Sequence, residues 1–467
     1  MGEDAAAQEL AELLRGRLGA VLYAPVDIAG LHQLSGGASR QTWAFEARPG
    51  AGSPQRLVLR RDPPGHGRPE AMAWEAAVIQ AAEAADVPVP RLIDHSIDDT
   101  VLGAPYVLTS HVDGETIPRR LLREPEFEPA RATMARELGR VAARIHRIPP
   151  SAVPGLPRHD PLEHLMARYE ELCEPLPSLE VGLRWLDKHR PAGVEDTVVH
   201  GDFRNGNLIV DPTGLRAVLD WERVHRGDPR EDLGWLCVKA WRFASSLPVG
   251  GFGTRDELLD GYAEVAGATP DPDAVHWWEV YGTAWWAVGC RGQAERHLSG
   301  ETRSVELAAV GRRVCEQEHD LLLALGVAPP PAAESAESAE SAEGTAGGGQ
   351  PAEPGMHGRP SMRELVEAVG EFLRSEVQPT GGRLGFHGRV AANVLDIVER
   401  ELLLGEQQER SHRDRLATLG MPDDAALAAA IRSGAVDPAD PAVIGAVRAD
   451  VTDRLTVANP RYLSHPA

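Results

Sequence analysis

Short apolar runs and long helical periodicities alternate along the chain. Leu57-Val58-Leu59-Arg60 and Tyr106-Val107-Leu108-Thr109 read as strands, and the Ala- and Glu-rich residues 70–85 between them read as a helix. Together they predict a small α+β lobe that ends near residue 113. Residues 128–146 and 256–326 instead carry a long helical pattern, in which Trp277, Trp278, Trp285 and Trp286 recur at spacings of seven and eight and are expected to pack a core. A second β-rich stretch lies between these helical regions: Val198-Val199-His200, Leu208-Ile209-Val210 and Ala217-Val218-Leu219. The Asp211-Pro212-Thr213-Gly214 segment has the composition of a turn joining two of these strands. Whatever the strand ends carry is therefore presented on a rigid support.

Periodicity stops between residues 328 and 360, where a proline run leads into Glu-Ser-Ala repeats and then Gly347-Gly348-Gly349. Such a stretch has too little apolar surface to offset its ordering entropy, so it is expected to be a flexible linker spanning about 30 Å as a coil. Beyond it, Ser361 and Glu364 have the spacing of a capping box and open a helix with Leu365, Val366, Val369, Phe372, Leu373 and Val377 on one stripe. A second helix is expected over residues 388–404. The chain thus divides into a β-rich lobe over 1–113, a helical lobe over 114–327, the linker over 328–360 and an all-helical domain over 361–467.

Composition narrows the function classes. The chain has 467 residues, 42% of them hydrophobic and 25% charged, which is the composition of a folded protein. Its net charge of −22 disfavours a general affinity for nucleic acid or for an anionic membrane. Its four cysteines, Cys173, Cys237, Cys290 and Cys315, never form a C-x-x-C pair, so neither a disulfide framework nor a cysteine zinc site is expected. With an acidic start and no long apolar run, the expected location is the cytoplasm. Lys188 and Lys239 are the only lysines among 48 basic residues, so chemistry that ordinarily uses a lysine near the N-terminus must use arginine here.

The stretch that carries chemistry is His200-Gly201-Asp202-Phe203-Arg204-Asn205-Gly206-Asn207, followed by Leu219-Asp220-Trp221-Glu222. Asp202 and Asn207 are five apart, and Asp220 follows thirteen residues later at the end of the next short strand. Phosphoryl transfer from a nucleotide needs such a set: a carboxylate to orient or deprotonate the attacking hydroxyl, and two oxygen ligands for Mg²⁺. Asp202 is the candidate catalytic carboxylate, and Asn207 and Asp220 are the candidate metal ligands. Any one of these residues alone would be ordinary turn punctuation, but the joint spacing is much rarer. The H-x-D pair could also open a non-haem iron triad completed by His225 or His276. That reading leaves Asn207 and Asp220 idle and expects a β-barrel, so His200 is better read as a loop brace.

With these motifs in hand, the chain resembles the aminoglycoside phosphotransferase family, over roughly residues 20–327. The resemblance implies a bilobal protein-kinase-like fold, with a small β-rich N-lobe and a larger helical C-lobe, and ATP with Mg²⁺ as cofactors, GTP being the alternative nucleotide. It places Gly36, Gly37 and Ser39 in the turn over the phosphates. It puts Arg60 where relatives carry a strand lysine, with Glu75 on the following helix as its partner. It also assigns Ser110 and Val112 to adenine recognition through their backbone, and Asp232 to structural support of the catalytic loop.

The run Leu57 to Gly65, with arginine in the lysine position, is similar to the branch of that family associated with acyl-CoA dehydrogenases. The C-terminal segment around Phe386-His387-Gly388-Arg389 resembles a helical domain of unknown function from the same gene neighbourhoods. Both imply a small hydroxylated metabolite such as a hydroxyacyl-CoA as acceptor, and an acyl-CoA-metabolism enzyme as partner. A true aminoglycoside O-phosphotransferase and a nucleotide-binding pseudokinase scaffold are the alternatives.

Overall fold

The computed structural model describes residues 3–34, 40–172, 174–327 and 360–464. The expected phosphate turn with Gly36, Gly37 and Ser39, and the expected linker as far as residue 359, lie outside the described residues. The chain forms two compact units: Met1–His159 with Ala192–Trp278, and Asp160–Pro191 with Glu279–Ala467. The second unit therefore draws on both the expected helical lobe and the C-terminal segment.

The first unit opens with α1 (Glu3–Leu22), β1 (Val26–Gln33), β2 (Gln41–Pro49), β3 (Gln55–Arg61), α2 (Pro69–Ala84), β4 (Leu92–Ser96), α3 (Asp99–Leu102) and β5 (Tyr106–Ser110). The five strands form one antiparallel sheet in the order β1-β2-β3-β5-β4. Leu10, Leu14 and Leu18 of α1 share a core with Trp43, Phe45, Leu57, Leu59, Tyr106 and Leu108. Because side chains alternate across a strand, the burial of Leu57 and Leu59 in that core turns Val58 and Arg60 to the other face. A charged residue at position 60 is thus compatible with a central strand. Pro69 starts α2, where its missing N–H costs nothing, and Glu75 lies on the buried face of that helix.

Then follow α4 (Pro118–Arg123), α5 (Glu128–His146), α6 (Pro161–Glu171) and α7 (Pro177–Lys188), the last two belonging to the second unit, and, back in the first, β6 (Thr197–Val199), β7 (Leu208–Asp211), β8 (Gly214–Val218), β9 (His225–Gly227), α8 (Arg230–Cys237) and α9 (Arg255–Ala266). Strands β6 and β9 pair, β7 and β8 form a hairpin at the expected turn, and α5 packs along α9. Their apolar faces join α2 in one core that includes Met134, Leu138, Val198, Phe203 and Trp221. A small sheet-based lobe and a larger helical part carrying two short β pairs are the protein-kinase-like arrangement.

Helix α10 (Pro272–Leu298) begins in the first unit and continues in the second, where α11 (Val305–Gly311), α12 (Val314–Ala324), α13 (Met362–Phe372), α14 (Gly382–Thr418), α15 (Asp424–Ser433) and α16 (Pro441–Ala458) follow. The capping box is present: Glu364 N–H donates to Ser361 Oγ, and Ser361 N–H donates to Glu364. The stripe expected on this helix splits, with Val366, Leu373 and Val377 half-buried and Leu365, Val369 and Phe372 exposed. Helix α14 is longer than the expected 388–404, because no glycine or proline interrupts it before Gly420 except the tolerated Gly385, Gly388 and Gly405.

Val181 of α7 and Cys315 and Leu322 of α12 lie in one core with Leu416, Leu427, Ile431, Val447 and Leu455. Buried carboxylates cross the same seam: Glu180 accepts from Arg432, and Glu318 accepts from Arg454 at 2.7 and 3.0 Å. The C-terminal helices thus complete a core that α7 and α12 begin.

Candidate active site

The loop between β6 and β7 is held from behind by one carboxylate. Asp232, in the first turn of α8 and fully buried, accepts from the backbone N–H groups of His200 at 2.8 Å and Gly201 at 2.9 Å. His146 Nε2 sits 3.0 Å from the same carboxylate. Burial opposes its charge, yet the hydrogen bond and charge of His146, together with the loop amides, hold the Asp232 carboxyl below its ordinary value. Gly201 has φ of +76°, and a Cβ there would meet the Arg223 carbonyl oxygen at 2.5 Å, so only glycine fits.

His200 ties this loop to the strand that delivers Asp220. Its Nδ1 accepts from the Asp202 N–H at 3.1 Å, which leaves Nε2 to donate to the Leu219 carbonyl at 3.0 Å. Complete burial lowers its basicity, consistent with a neutral ring that has one donor and one acceptor. The Leu219 N–H in turn donates to the Asn207 carbonyl at 2.8 Å. Residues 200, 207 and 219 are therefore one hydrogen-bonded unit.

On that unit both oxygens of the Asp202 carboxylate accept hydrogen bonds. Oδ2 accepts from Asn207 Nδ2 at 2.6 Å, while Oδ1 accepts from Trp235 Nε1 at 2.8 Å and from Arg204 Nε at 2.9 Å. Asn207 Nδ2 also donates to the Asp202 carbonyl at 3.0 Å, so the Asn207 side-chain oxygen faces away from Asp202. The Arg204 guanidinium lies over the Trp241 ring, 4.4 Å from its centroid.

A second set of charges converges from the sheet. Arg60 donates through Nη1 to Glu75 and through Nη2 to Asp220, both at 2.7 Å. Asp220 adopts a left-handed backbone with φ of +66°, which costs a non-glycine residue about 1–2 kcal/mol and persists only where its surroundings impose it. Burial works against its charge, but the Arg60 cation outweighs burial and keeps the Asp220 carboxyl below its ordinary value. The other oxygen of Glu75 accepts from Arg40, whose Nε donates to Asp62 at 3.1 Å. Arg40, Asp62 and Glu75 have side chains no more than 1% exposed, and burial followed by the nearby Arg60 charge lowers the Arg40 basicity.

The structure therefore brings Asp202, Asn207, His200 and Asp232 into one cluster and Arg60, Glu75 and Asp220 into another, joined through Leu219. Ser110 and Val112 lie at the end of β5, where the Ser110 N–H donates to the Arg91 carbonyl at 2.9 Å. Sequence reasoning passed over Arg40, Asp62, Arg204 and Trp235. Arg204 stood two residues from Asp202 and Arg40 next to Ser39 in the sequence, so position was their only signal. Trp235 had none.

Residues 30–278 match the phosphotransferase enzyme family (APH), and residues 378–462 match a domain of unknown function, DUF6285. Acyl-CoA dehydrogenase family member 10 of Mus musculus is 31% identical over 254 residues, which covers 51% of this chain and 23% of that protein. Acyl-CoA dehydrogenase family member 11 of Gallus gallus is 29% identical over 247 residues, covering 49% of this chain and 30% of that one. The chain spans about a quarter to a third of the length of these curated relatives. In fold it is similar to a crystal structure described as a putative aminoglycoside phosphotransferase from Ralstonia eutropha JMP134, with a TM-score of 0.53 at 23% identity, over 67% of this chain and 97% of that one. Among the described residues no helix is long and apolar enough to cross a membrane. With the family match extending over more than half of its residues, and the Asp202 and Arg60 clusters both inside the matched segment, the chain belongs to the phosphotransferase enzyme family.

Proposed function

We propose that the chain is an ATP-dependent small-molecule kinase that transfers the γ-phosphoryl group to a hydroxyl of a small metabolite. The observation that carries this reading is the position of Asp202, whose two oxygens are oriented by Asn207, Trp235 and Arg204 on a loop pinned by Asp232. A carboxylate fixed in that way presents a defined lone pair to an incoming hydroxyl. The acceptor oxygen bonds to the γ-phosphorus as the bond to the β,γ-bridging oxygen breaks, ADP leaves, and the hydroxyl proton passes to Asp202.

Asn207 and Asp220 supply a side-chain carbonyl and an ionised carboxylate, the hard oxygen donors that Mg²⁺ takes, and they would hold it. When bound, Mg²⁺ neutralises phosphate charge. Arg60 takes the role of the strand lysine toward the phosphates, oriented by Glu75, and Ser110 and Val112 offer backbone groups to the adenine. Gly36, Gly37 and Ser39 complete the reading as the turn over the phosphates.

For the acceptor, a hydroxyacyl-CoA is favoured over an aminoglycoside. The similarity to proteins named acyl-CoA dehydrogenases supports that class, with an enzyme of acyl-CoA metabolism as partner. The test is Mg²⁺-dependent transfer by wild type and Asp202→Ala, with ATP and GTP, against hydroxyacyl-CoAs, small amino alcohols and aminoglycosides, reading phosphorylated product by mass. Product that Asp202→Ala lowers by about 10³-fold or more supports the reading. Undiminished product from Asp202→Ala removes Asp202 from the catalytic role, and binding of nucleotide without any product favours a nucleotide-binding scaffold.

A further inference from the structure

Helix α13 carries two apolar faces and uses one of them. Val366, Gly370 and Leu373, continued by Val377 past the end of the helix, lie against α14: Gly370 lies close to Leu395, and a Cβ on Gly388 would meet Val377 Cγ1 at 2.7 Å. Arg363 bonds Glu399 at 3.0 Å at the other end of the contact, so the two helices run antiparallel. Met362, Leu365, Val369 and Phe372 are left outside, between 51% and 67% exposed. Their spacing of three, four and three is the a/d repeat of a helix seam.

Helix α14 repeats the arrangement. Val398 and Leu402 are 38% and 46% exposed, and like the α13 stripe they lie about a quarter-turn from the α13–α14 contact in the same rotational sense. In antiparallel helices the same sense of rotation brings both stripes to one side of the hairpin. The result is a single two-helix apolar surface, which a hairpin cannot bury by itself.

We propose that this surface pairs with the same surface of a second copy of the chain, closing an intermolecular four-helix bundle about a twofold axis. Three observations select a second copy over other occupants. First, the six exposed side chains amount to roughly 500 Å² of apolar area; at the roughly 65% apolar share of homodimer interfaces this corresponds to about 800 Å² per partner, the size of a stable dimer contact. Second, a chain of net charge −22 repels its own copy wherever acidic side chains face each other, yet no acid lies on either stripe between Met362 and Phe372 or between Val398 and Leu402: Glu376 continues the α13 repeat only beyond Phe372, and Glu399 and Glu401 beside the α14 stripe are paired with Arg363 and Arg312. Third, the chain's own residues 328–359 contain one large apolar residue, Met356, and cannot fill six positions. Identical stripes on both copies are self-complementary across a twofold axis.

The test is the mass of the full chain in solution by light scattering and sedimentation equilibrium. Wild type is expected at about twice 50.3 kDa, and Leu365→Glu/Val369→Glu at 50.3 kDa with an unchanged far-UV circular dichroism spectrum. Should the double variant lose helicity, Val369→Ser alone is the substitute, and it should weaken the dimer by at least tenfold. Ile97→Glu, an exposed apolar residue of the first unit, should leave the mass at the wild-type value. A wild-type chain that is monomeric at every concentration tested, or a dimer that survives the stripe variants with their fold intact, overturns the proposal and leaves the face to another protein or to another part of the chain.

Discussion

Arg60 spans the gap between Glu75 and Asp220, donating one guanidinium nitrogen to each at 2.7 Å. A lysine at this position has one nitrogen and cannot hold the same two carboxylates in the same way, because the planar fork of arginine separates its donors. Arg60→Ala should lower kcat/KM for the nucleotide by about 100-fold, the cost of losing contacts worth 2–3 kcal/mol. Arg60→Lys keeps the charge and should fall by less than about tenfold. Steady-state kinetics in varied ATP checks both, and equal losses in the two variants would mean that geometry, rather than charge, is what Arg60 supplies.

Arg40 faces Asp62 and Glu75 with its side chain 1% exposed. Removing one partner of a buried ion pair leaves the others uncompensated, which typically costs 3–5 kcal/mol, so Arg40→Met should lower the free energy of unfolding by about that amount. Urea denaturation is the measurement. A loss within error of zero would show that the carboxylates find water or protons when the cation goes.

Two histidines should make stability depend on pH with opposite signs. His412 is bonded by Asp424 at 3.1 Å and faces Asp450 at 3.0 Å, which Arg454 also contacts, and these carboxylates push its pKa up to about 10. Its unfolded value is about 6.5, so its contribution is fully present below pH ~6.5 and is lost as pH rises through about 10. His412→Gln should therefore be destabilising at pH 6 and nearly neutral at the upper end of that window. His200 behaves in reverse: burial lowers its folded pKa, so below pH ~6.5 the unfolded chain gains a proton that the native chain does not. Acidification below that point should cost stability, and His200→Asn should flatten the slope. Unfolding midpoints across pH 5 to 10 test both, and parallel curves for wild type and variants would refute the assignments.

Residues that meet through short, regular geometry were legible in the sequence. Asp202 and Asn207 share one loop, Asp220 follows the hairpin that comes after it, and Glu75 sits fifteen residues after Arg60, on the helix after the strand; each of these is joined by local turns whose lengths show in the spacing, whereas the meeting of Arg60 with Asp220, 160 residues apart, is not. Arg40 was not legible, because its partners Asp62 and Glu75 lie 22 and 35 residues away and nothing in a lone arginine says that it is buried. Trp235 carried no signal, because an indole N–H donated to a carboxylate 33 residues away leaves no mark in local spacing. The Ser361 and Glu364 cap was readable because it lies within one turn, whereas which face of the helix it starts would be covered depended on α14. The common core of α7, α12 and the C-terminal helices left no trace at all, since amphipathic helices do not name their partners.

That common core also sets an order of events during synthesis. Glu180 and Arg432, which face each other across it, are 252 residues apart in the chain. At the roughly 5–20 residues per second of translation, α7 waits about 12–50 s after it is made before α15 exists to cover it. The apolar flank around Val181 therefore lacks its α15 cover on the nascent chain through that interval, and it is the segment that chaperones should hold. An interruption of translation anywhere before α15 would release a product with that flank still bare.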